Sequence, residues 1–155
     1  MRPFFLRSNV LQVIDPETVA RLVKEITDTE ILTRFGALKS TDIIEKRPGN
    51  AGNLVTTADI EAEKILTREL ETLFPGTLAI GEETIENDPS ILKVLDDEAP
   101  VWLIDPVDGT SNFAAGKEPF TVLVSLIMKR ESIFGLIYSP KTHEMAIASK
   151  GEGAF

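Results

Sequence analysis

The chain has 155 residues, 43% of them hydrophobic and 26% charged, and a net charge of −9. These values suit one soluble domain with a sizeable core and make nucleic acid or an anionic membrane a poor partner. There is no cysteine and one histidine, His143. Disulfides, a thiolate nucleophile and a multi-histidine zinc site within one chain are excluded, and a metal here would be a hard ion bound by oxygen: magnesium, manganese or calcium.

Met1 to Val13 carries Arg2 and Arg7 but no long apolar segment or small-residue cleavage site. No run reaches membrane-spanning length, so no leader or span is expected and cytoplasm is the expected compartment. Asp15-Pro16-Glu17 is a helix start, with a cap, a proline at the first helical position and an acid. Val19, Leu22, Val23 and Ile26 follow at helical spacing, and Ile31, Leu32 and Phe35 continue that face to Gly36. Lys46 to Asn53 is a polar loop rich in breakers.

A second helix is expected from about Ala58 to Phe74, ended by Pro75-Gly76. A short strand, Thr77 to Ile80, leads into Gly81-Glu82-Glu83-Thr84. Asp88-Pro89 starts a short helix to about Asp96. Val101-Trp102-Leu103-Ile104 reads as a buried strand, followed by a turn with Asp105, Pro106, Asp108 and Gly109. Thr110, Ser111 and Asn112 supply helix caps. Phe120 to Met128, Ile133 to Tyr138 and Glu144 to Ser149 read as strands, with His143 on a surface turn. Phe155 would start a further apolar element. The expected class is α+β, with helices packed on a largely antiparallel sheet.

The acids stand at element boundaries. Glu82 and Glu83 follow one strand, Asp105 and Asp108 follow another, and Asp59 opens the second helix. Singly, each has a plain structural explanation: a solvated loop, an Asp-Gly turn, an acid in a first turn. Together they indicate a cation site. If the two strands are neighbours, Glu82 and Asp105 converge, and crowded carboxylates repel unless cations occupy the gap. Such cations can clamp a phosphate and acidify a water. The Thr110 hydroxyl can orient that water, and the N–H groups of Gly109 and Thr110 can hold phosphate oxygens. Asp105 and Asp108 are three residues apart. The haloacid-dehalogenase pattern spaces its two aspartates by two, which keeps both on one face of an extended segment. A spacing of three needs a turn to bring them together and fits metal ligation better.

Gly81-Glu82-Glu83-Thr84 and Trp102 through Phe113 resemble the inositol monophosphatase family, part of a magnesium-dependent, lithium-sensitive phosphatase superfamily. Asn53 through Asp59 resembles that family's Asp-Leu-Val-Thr-x-x-Asp segment, and Gly151 through Phe155 its Gly-x-Gly-Ala stretch. The resemblance runs from about Val19 to Phe155. It implies that Glu82, Asp105 and the Val107 carbonyl hold a first Mg2+, that Asp105 and Asp108 share a second, and that Glu82 faces a weaker third ion. It also implies that Thr110 with Asp59 activates the attacking water, that Asp108, Gly109 and Thr110 meet substrate, and that Glu83 supports. Lys46 or Arg47 stands where the family has a loop lysine.

The family's Trp-Asp-x-Ala motif, which belongs to a second α/β domain, does not occur in this sequence. The resemblance therefore implies that residues 1–155 are the N-terminal metal-binding half of a layered αβαβα fold. The C-terminal substrate domain would be absent and the second metal site incomplete. The expected function is Mg2+-dependent hydrolysis of a phosphate monoester of a small polyol, sugar or nucleotide. The partner is that phosphorylated metabolite, with a homodimer ordinary for the family. A non-catalytic metal-binding or oligomerisation module and a haloacid-dehalogenase-type phosphatase are the alternatives.

Overall fold

The computed structural model describes residues 14–47, 49 and 53–155. The expectation about Met1 to Val13 lies outside the described residues, as do Pro48, Asn50, Ala51 and Gly52 of the breaker-rich loop.

Helix α1, Pro16–Ile26, starts where expected. The Asp15 carboxylate accepts from the N–H groups of Glu17 and Thr18 at 3.3 and 3.2 Å, and Val19, Val23 and Ile26 are buried. The chain continues through a π-helical turn, Thr27–Ile31. There the Thr27 hydroxyl donates to the Val23 carbonyl at 2.7 Å, a side-chain bond of the kind that loosens an α-helical turn.

Two strands are not legible in the sequence. β1, Ile43–Glu45, and β2, Leu54–Thr56, pair antiparallel, and the Lys46 N–H donates to the Asn53 carbonyl at 2.9 Å. Three residues are too few to display an alternation. Lys46 and Asn53, the two ends of the breaker-rich loop, therefore close a hairpin.

Helix α2, Thr57–Leu73, buries Ala58, Asp59, Ala62, Glu63, Leu66 and Leu70. Strand β3, Leu78–Gly81, runs directly into a short helix α3, Glu82–Asn87. Pro89–Asp96 is a 3-10 helix rather than an α-helix. It buries no residue, so no packing favours the α form over the tighter turn.

One six-stranded sheet has the order β3-β4-β5-β6-β7-β8, with β4 Val101–Asp108, β5 Thr121–Met128, β6 Glu131–Ser139, β7 Glu144–Ser149 and β8 Gly153–Ala154. β3 and β4 are parallel and every other pair is antiparallel, in agreement with the expected class. Phe155 exchanges hydrogen bonds with Ile147. It thus prolongs the pairing of β7 with β8 by one residue.

Residues of α1 and α2 share one core with the inward-facing Trp102, Ile104, Val122, Val124, Leu126 and Leu136. Trp102 lies 5.4 Å from Phe74 and 5.8 Å from Phe134 between ring centroids, and its Nε1–H donates to Thr77 Oγ1 at 3.2 Å. The opposite sheet face carries Leu103, Leu123, Ile137, Ala146 and Ala148, which line an open apolar cavity of about 570 Å³. Among the described residues, no helix is long and apolar enough to cross a membrane.

The segment after Ile104 corrects the expectation of a four-residue strand and a turn. Strand β4 continues to Asp108. Asp105 pairs with Leu123 and Asp108 with Thr121, so three steps on β4 answer two on β5. Pro106 has no N–H for the ladder, and a bulge absorbs the extra residue.

Candidate metal centre

The site begins where β3 ends beside its parallel neighbour β4. Gly81 of β3 is level with Ile104 of β4, so the next residues, Glu82 at the start of α3 and Asp105 within β4, stand side by side. The bulge resets the alternation and brings Asp108 back toward Asp105. Burial pushes the Asp105 carboxyl up to about 7, and the neighbouring Glu82 and Asp108 carboxylates add to the rise. The Val107 N–H, 3.1 Å from Asp105 Oδ1, opposes it. Asp108 is exposed and accepts from Thr121 Oγ1 at 3.3 Å.

Gly109 has φ 93°, and a Cβ there would lie 3.0 Å from the Pro119 carbonyl oxygen and 3.3 Å from Phe120 Cα. Both the left-handed backbone and the close approach require glycine. The turn it makes presents Thr110 to Asp59. Thr110 Oγ1 is 3.2 Å from Asp59 Oδ1 and 2.9 Å from the Val107 carbonyl. Asp59 Oδ2 accepts from the Thr56 N–H at 2.8 Å and the Thr56 hydroxyl at 2.5 Å. Asp59 is therefore both a cap of α2 and a buried neighbour of Thr110. Burial raises its carboxyl, and the hydrogen bonds from Thr56 and Thr110 oppose that rise.

Lys46, not Arg47, reaches these acids. Its Nζ lies 3.1 Å from Glu82 Oε1, 2.7 Å from Glu83 Oε1 and 2.7 Å from Glu86 Oε2, with 7% of the side chain exposed. Burial works against the ammonium, but hydrogen bonds to Glu83, Glu86 and Glu82 outweigh it and hold Lys46 above the usual lysine range. Burial takes Glu83 up to about 7 despite Lys46, and the charges of Glu82 and Asp59 push the same way.

Sequence reasoning missed Glu63 and Glu86. Glu63 is buried and accepts from the N–H groups of Glu83 and Thr84 at 2.8 and 3.1 Å and from Thr84 Oγ1 at 2.6 Å. It fixes the start of α3, and hence Glu82. A Cβ on Gly81 would come within 2.0 Å of Glu63 Cδ, so glycine is required there for space. An acid on the apolar stripe of α2, four residues after Asp59, was the available signal. Glu86 had none, because α3 was not anticipated.

A polar cavity of about 310 Å³ lies over these groups, lined by Lys46, Asn53, Leu54, Glu82, Gly109, Thr110, Ser111 and Asn112. Among the described residues, no three His, Cys, Asp or Glu side chains stand close enough together to hold an ion. Glu82 faces the Lys46 ammonium, and its side chain is 43% exposed. Rotating Glu82 and Asp108, both solvent-accessible, is what closing them round an ion requires. The donor chemistry fits a hard divalent cation. Glu82, Asp105, Asp108 and the Val107 carbonyl offer oxygen alone, and a cation would relieve the repulsion at Asp105.

The sequence model described as the inositol monophosphatase family matches residues 15–155. Inositol monophosphatase 1 of Homo sapiens is 36% identical over 140 residues, covering 89% of this chain and 46% of that protein. The structure of a Thermotoga maritima IMPase superposes with a TM-score of 0.73 at 26% identity, covering 90% of this chain and 49% of that one. An IMPase/NADP phosphatase, described as complexed with Mg2+ and phosphate, shares the fold with a TM-score of 0.71 at 21% identity, over 94% of this chain and 51% of its own. The chain spans less than half the length of the first curated relatives it matches.

Proposed function

The chain belongs to the inositol monophosphatase family, and on that premise we propose that it supplies the metal- and phosphate-binding half of a phosphatase. The enzyme hydrolyses a phosphate monoester of a small polyol, sugar or nucleotide and depends on Mg2+. One observation carries the reading. Glu82 follows the last residue of β3 while Asp105 stands at the neighbouring register position of parallel β4, and the bulge adds Asp108 while Thr110 and Asp59 stand alongside.

In this reading Glu82, Asp105 and the Val107 carbonyl hold one Mg2+, and Asp105 and Asp108 contribute to a second. Bound Mg2+ supplies Lewis-acid polarisation of the phosphate and lowers the pKa of a water. The Thr110 hydroxyl donates to Asp59 and keeps a lone pair to accept a hydrogen bond from the attacking water, so the water's proton can pass to Thr110 Oγ1 as the hydroxyl proton passes to the Asp59 carboxylate. Thr56 holds Asp59 in place for this. The N–H groups of Gly109 and Thr110 take phosphate oxygens at the mouth of the polar cavity. The helix they open has five residues, so it contributes donors and little macrodipole. The Mg2+ and phosphate named for the IMPase/NADP phosphatase support this assignment.

Calorimetric titration with Mg2+ tests it directly. The chain is expected to bind, and Asp105→Asn is expected to abolish binding. No heat with the unmodified chain would sink the reading. In a phosphate-release assay of the full-length protein on inositol monophosphate, magnesium-dependent turnover that survives Asp105→Ala would sink it as well.

The apolar cavity on the uncovered sheet face favours a second reading, a module that associates through that face without turnover. Sedimentation of the chain as a stable oligomer with no phosphate release supports it, and turnover refutes it.

A further inference from the structure

Glu86 lies one helical turn beyond Glu82, on the same side of α3. Its Oε2 is 2.7 Å from Lys46 Nζ, closer than Glu82 Oε1 at 3.1 Å. Its Oε1 accepts from Asn53 Nδ2 at 3.2 Å. Lys46 and Asn53 close the base of the hairpin loop, where the Lys46 N–H donates to the Asn53 carbonyl at 2.9 Å. One carboxylate therefore grips both ends of that loop. Hydrogen bonds from Lys46, and then from Asn53, hold Glu86 below the usual carboxylate range, so it is ionised at neutral pH.

The Lys46 ammonium is consequently a shared charge. Glu83 and Glu86 take it at 2.7 Å on one side and Glu82 at 3.1 Å on the other. Without Glu86, two acceptors remain, and the pairing with Glu82 tightens. An ammonium seated on Glu82 and a cation compete for the same oxygens.

We propose that Glu86 is a positioning residue that ties Lys46 and Asn53, the two ends of the hairpin loop, to α3 and holds the Lys46 ammonium off a tight pair with Glu82, which keeps Glu82 open to a cation. The consequence for the cation rests on Glu82 being a metal ligand, as proposed above. The tie itself does not.

Two measurements on the chain separate these parts. The first is amide hydrogen exchange without metal, comparing the unmodified chain with Glu86→Ala and Asn53→Ala. Both substitutions are expected to speed exchange of the Lys46 amide about threefold or more, the scale of a partly exposed ion pair. Amides of α2 and the thermal midpoint should not move. The second is calorimetric titration with Mg2+. Both variants are expected to weaken binding about threefold. Asn53→Ala leaves every charge in place, so simple loss of negative charge cannot produce its effect. Glu86→Gln, which keeps an acceptor for Asn53, is expected to restore most of the exchange protection while leaving Mg2+ binding weakened. Unchanged Lys46 exchange in both alanine variants overturns the proposal. Faster exchange with unchanged Mg2+ affinity in Asn53→Ala overturns its cation-competition half. If the unmodified chain binds no Mg2+, the metal reading fails, and the exchange result still decides the tie.

Discussion

Replacing Asp105 with asparagine should stabilise the metal-free chain while removing its response to magnesium. Asp105 is a half-buried carboxyl moved from 3.8 to about 7, first by burial and then by the charges of Glu82 and Asp108. At full strength such a move corresponds to roughly 4 kcal/mol. Solvent screens a group that is partly exposed, so the expected cost of its charge at pH 8 is about 1–2 kcal/mol. The sign follows from proton linkage. The folded state binds this proton more tightly than the unfolded chain, so the associated stability is present below about pH 4 and is lost as the pH rises toward 7. Asparagine keeps an acceptor for the Val107 N–H, which lies 3.1 Å from Asp105 Oδ1, and carries no charge to repel. Urea unfolding at pH 4.5 and pH 8, with and without Mg2+, is the assay. The unmodified chain should lose stability between those pH values and regain it on adding Mg2+, by about 2.7 kcal/mol at a hundredfold excess over the dissociation constant. Asp105→Asn should gain about 1–2 kcal/mol at pH 8 without metal, less at pH 4.5, and respond little to Mg2+. If the variant is less stable than the parent at pH 8 without metal, the repulsion argument is wrong. If Mg2+ stabilises it as strongly as the parent, the ligand assignment is wrong.

Thr110→Val removes the hydroxyl between Asp59 and the Val107 carbonyl. In the full-length enzyme of the proposed reading, phosphate release should fall about 100-fold with little change in KM, and unchanged turnover would remove Thr110 from the mechanism. Gly81→Ala puts a methyl against Glu63 and should cost about 1–3 kcal/mol in urea unfolding. In a Glu63→Ala background that penalty should shrink, and additive costs would contradict the contact. Thr77→Val leaves the buried Trp102 Nε1–H, now 3.2 Å from Thr77 Oγ1, without its acceptor. A loss of about 1–3 kcal/mol with a changed near-ultraviolet tryptophan signal is expected, and unaltered stability counts against that bond.

What the sequence revealed followed from period and capping. Asp15-Pro16 and the apolar spacing of Val19, Val23 and Ile26 located α1, because cap and face are both local. The alternation of Thr121–Met128 and its successors located the antiparallel strands. The neighbouring of β3 and β4, which puts Glu82 beside Asp105, had to be supposed, since nothing local encodes a pairing between strands 23 residues apart in register. β1 and β2 escaped because three residues carry no period. The continuation of β4 past Pro106 escaped because proline normally ends a ladder, and only its partner β5 shows that a bulge carries it on. Lys46 was narrowed to two residues, and distance chose between them.

The acids of this chain divide by what the backbone gives them. Asp59 accepts from the Thr56 N–H and hydroxyl and from Thr110. Glu63 accepts two N–H groups and the Thr84 hydroxyl. Both are buried and hold structure, one at the start of α2 and the other at the start of α3. Asp105 accepts the Val107 N–H and otherwise confronts Glu82 and Asp108. A carboxylate satisfied by fixed donors has little to gain from a metal, and one left facing other carboxylates has much to gain. The same folding that satisfies Asp59 and Glu63 therefore aims Thr110 and Glu82 and leaves Asp105 facing the carboxylates of Glu82 and Asp108. Lys46 is a built-in cation beside them, shared among Glu82, Glu83 and Glu86. On the proposed reading, the site's response to Mg2+ is a competition between that ammonium and the ion for Glu82, which is why Glu86, through its pairing with Lys46, is expected to matter to it.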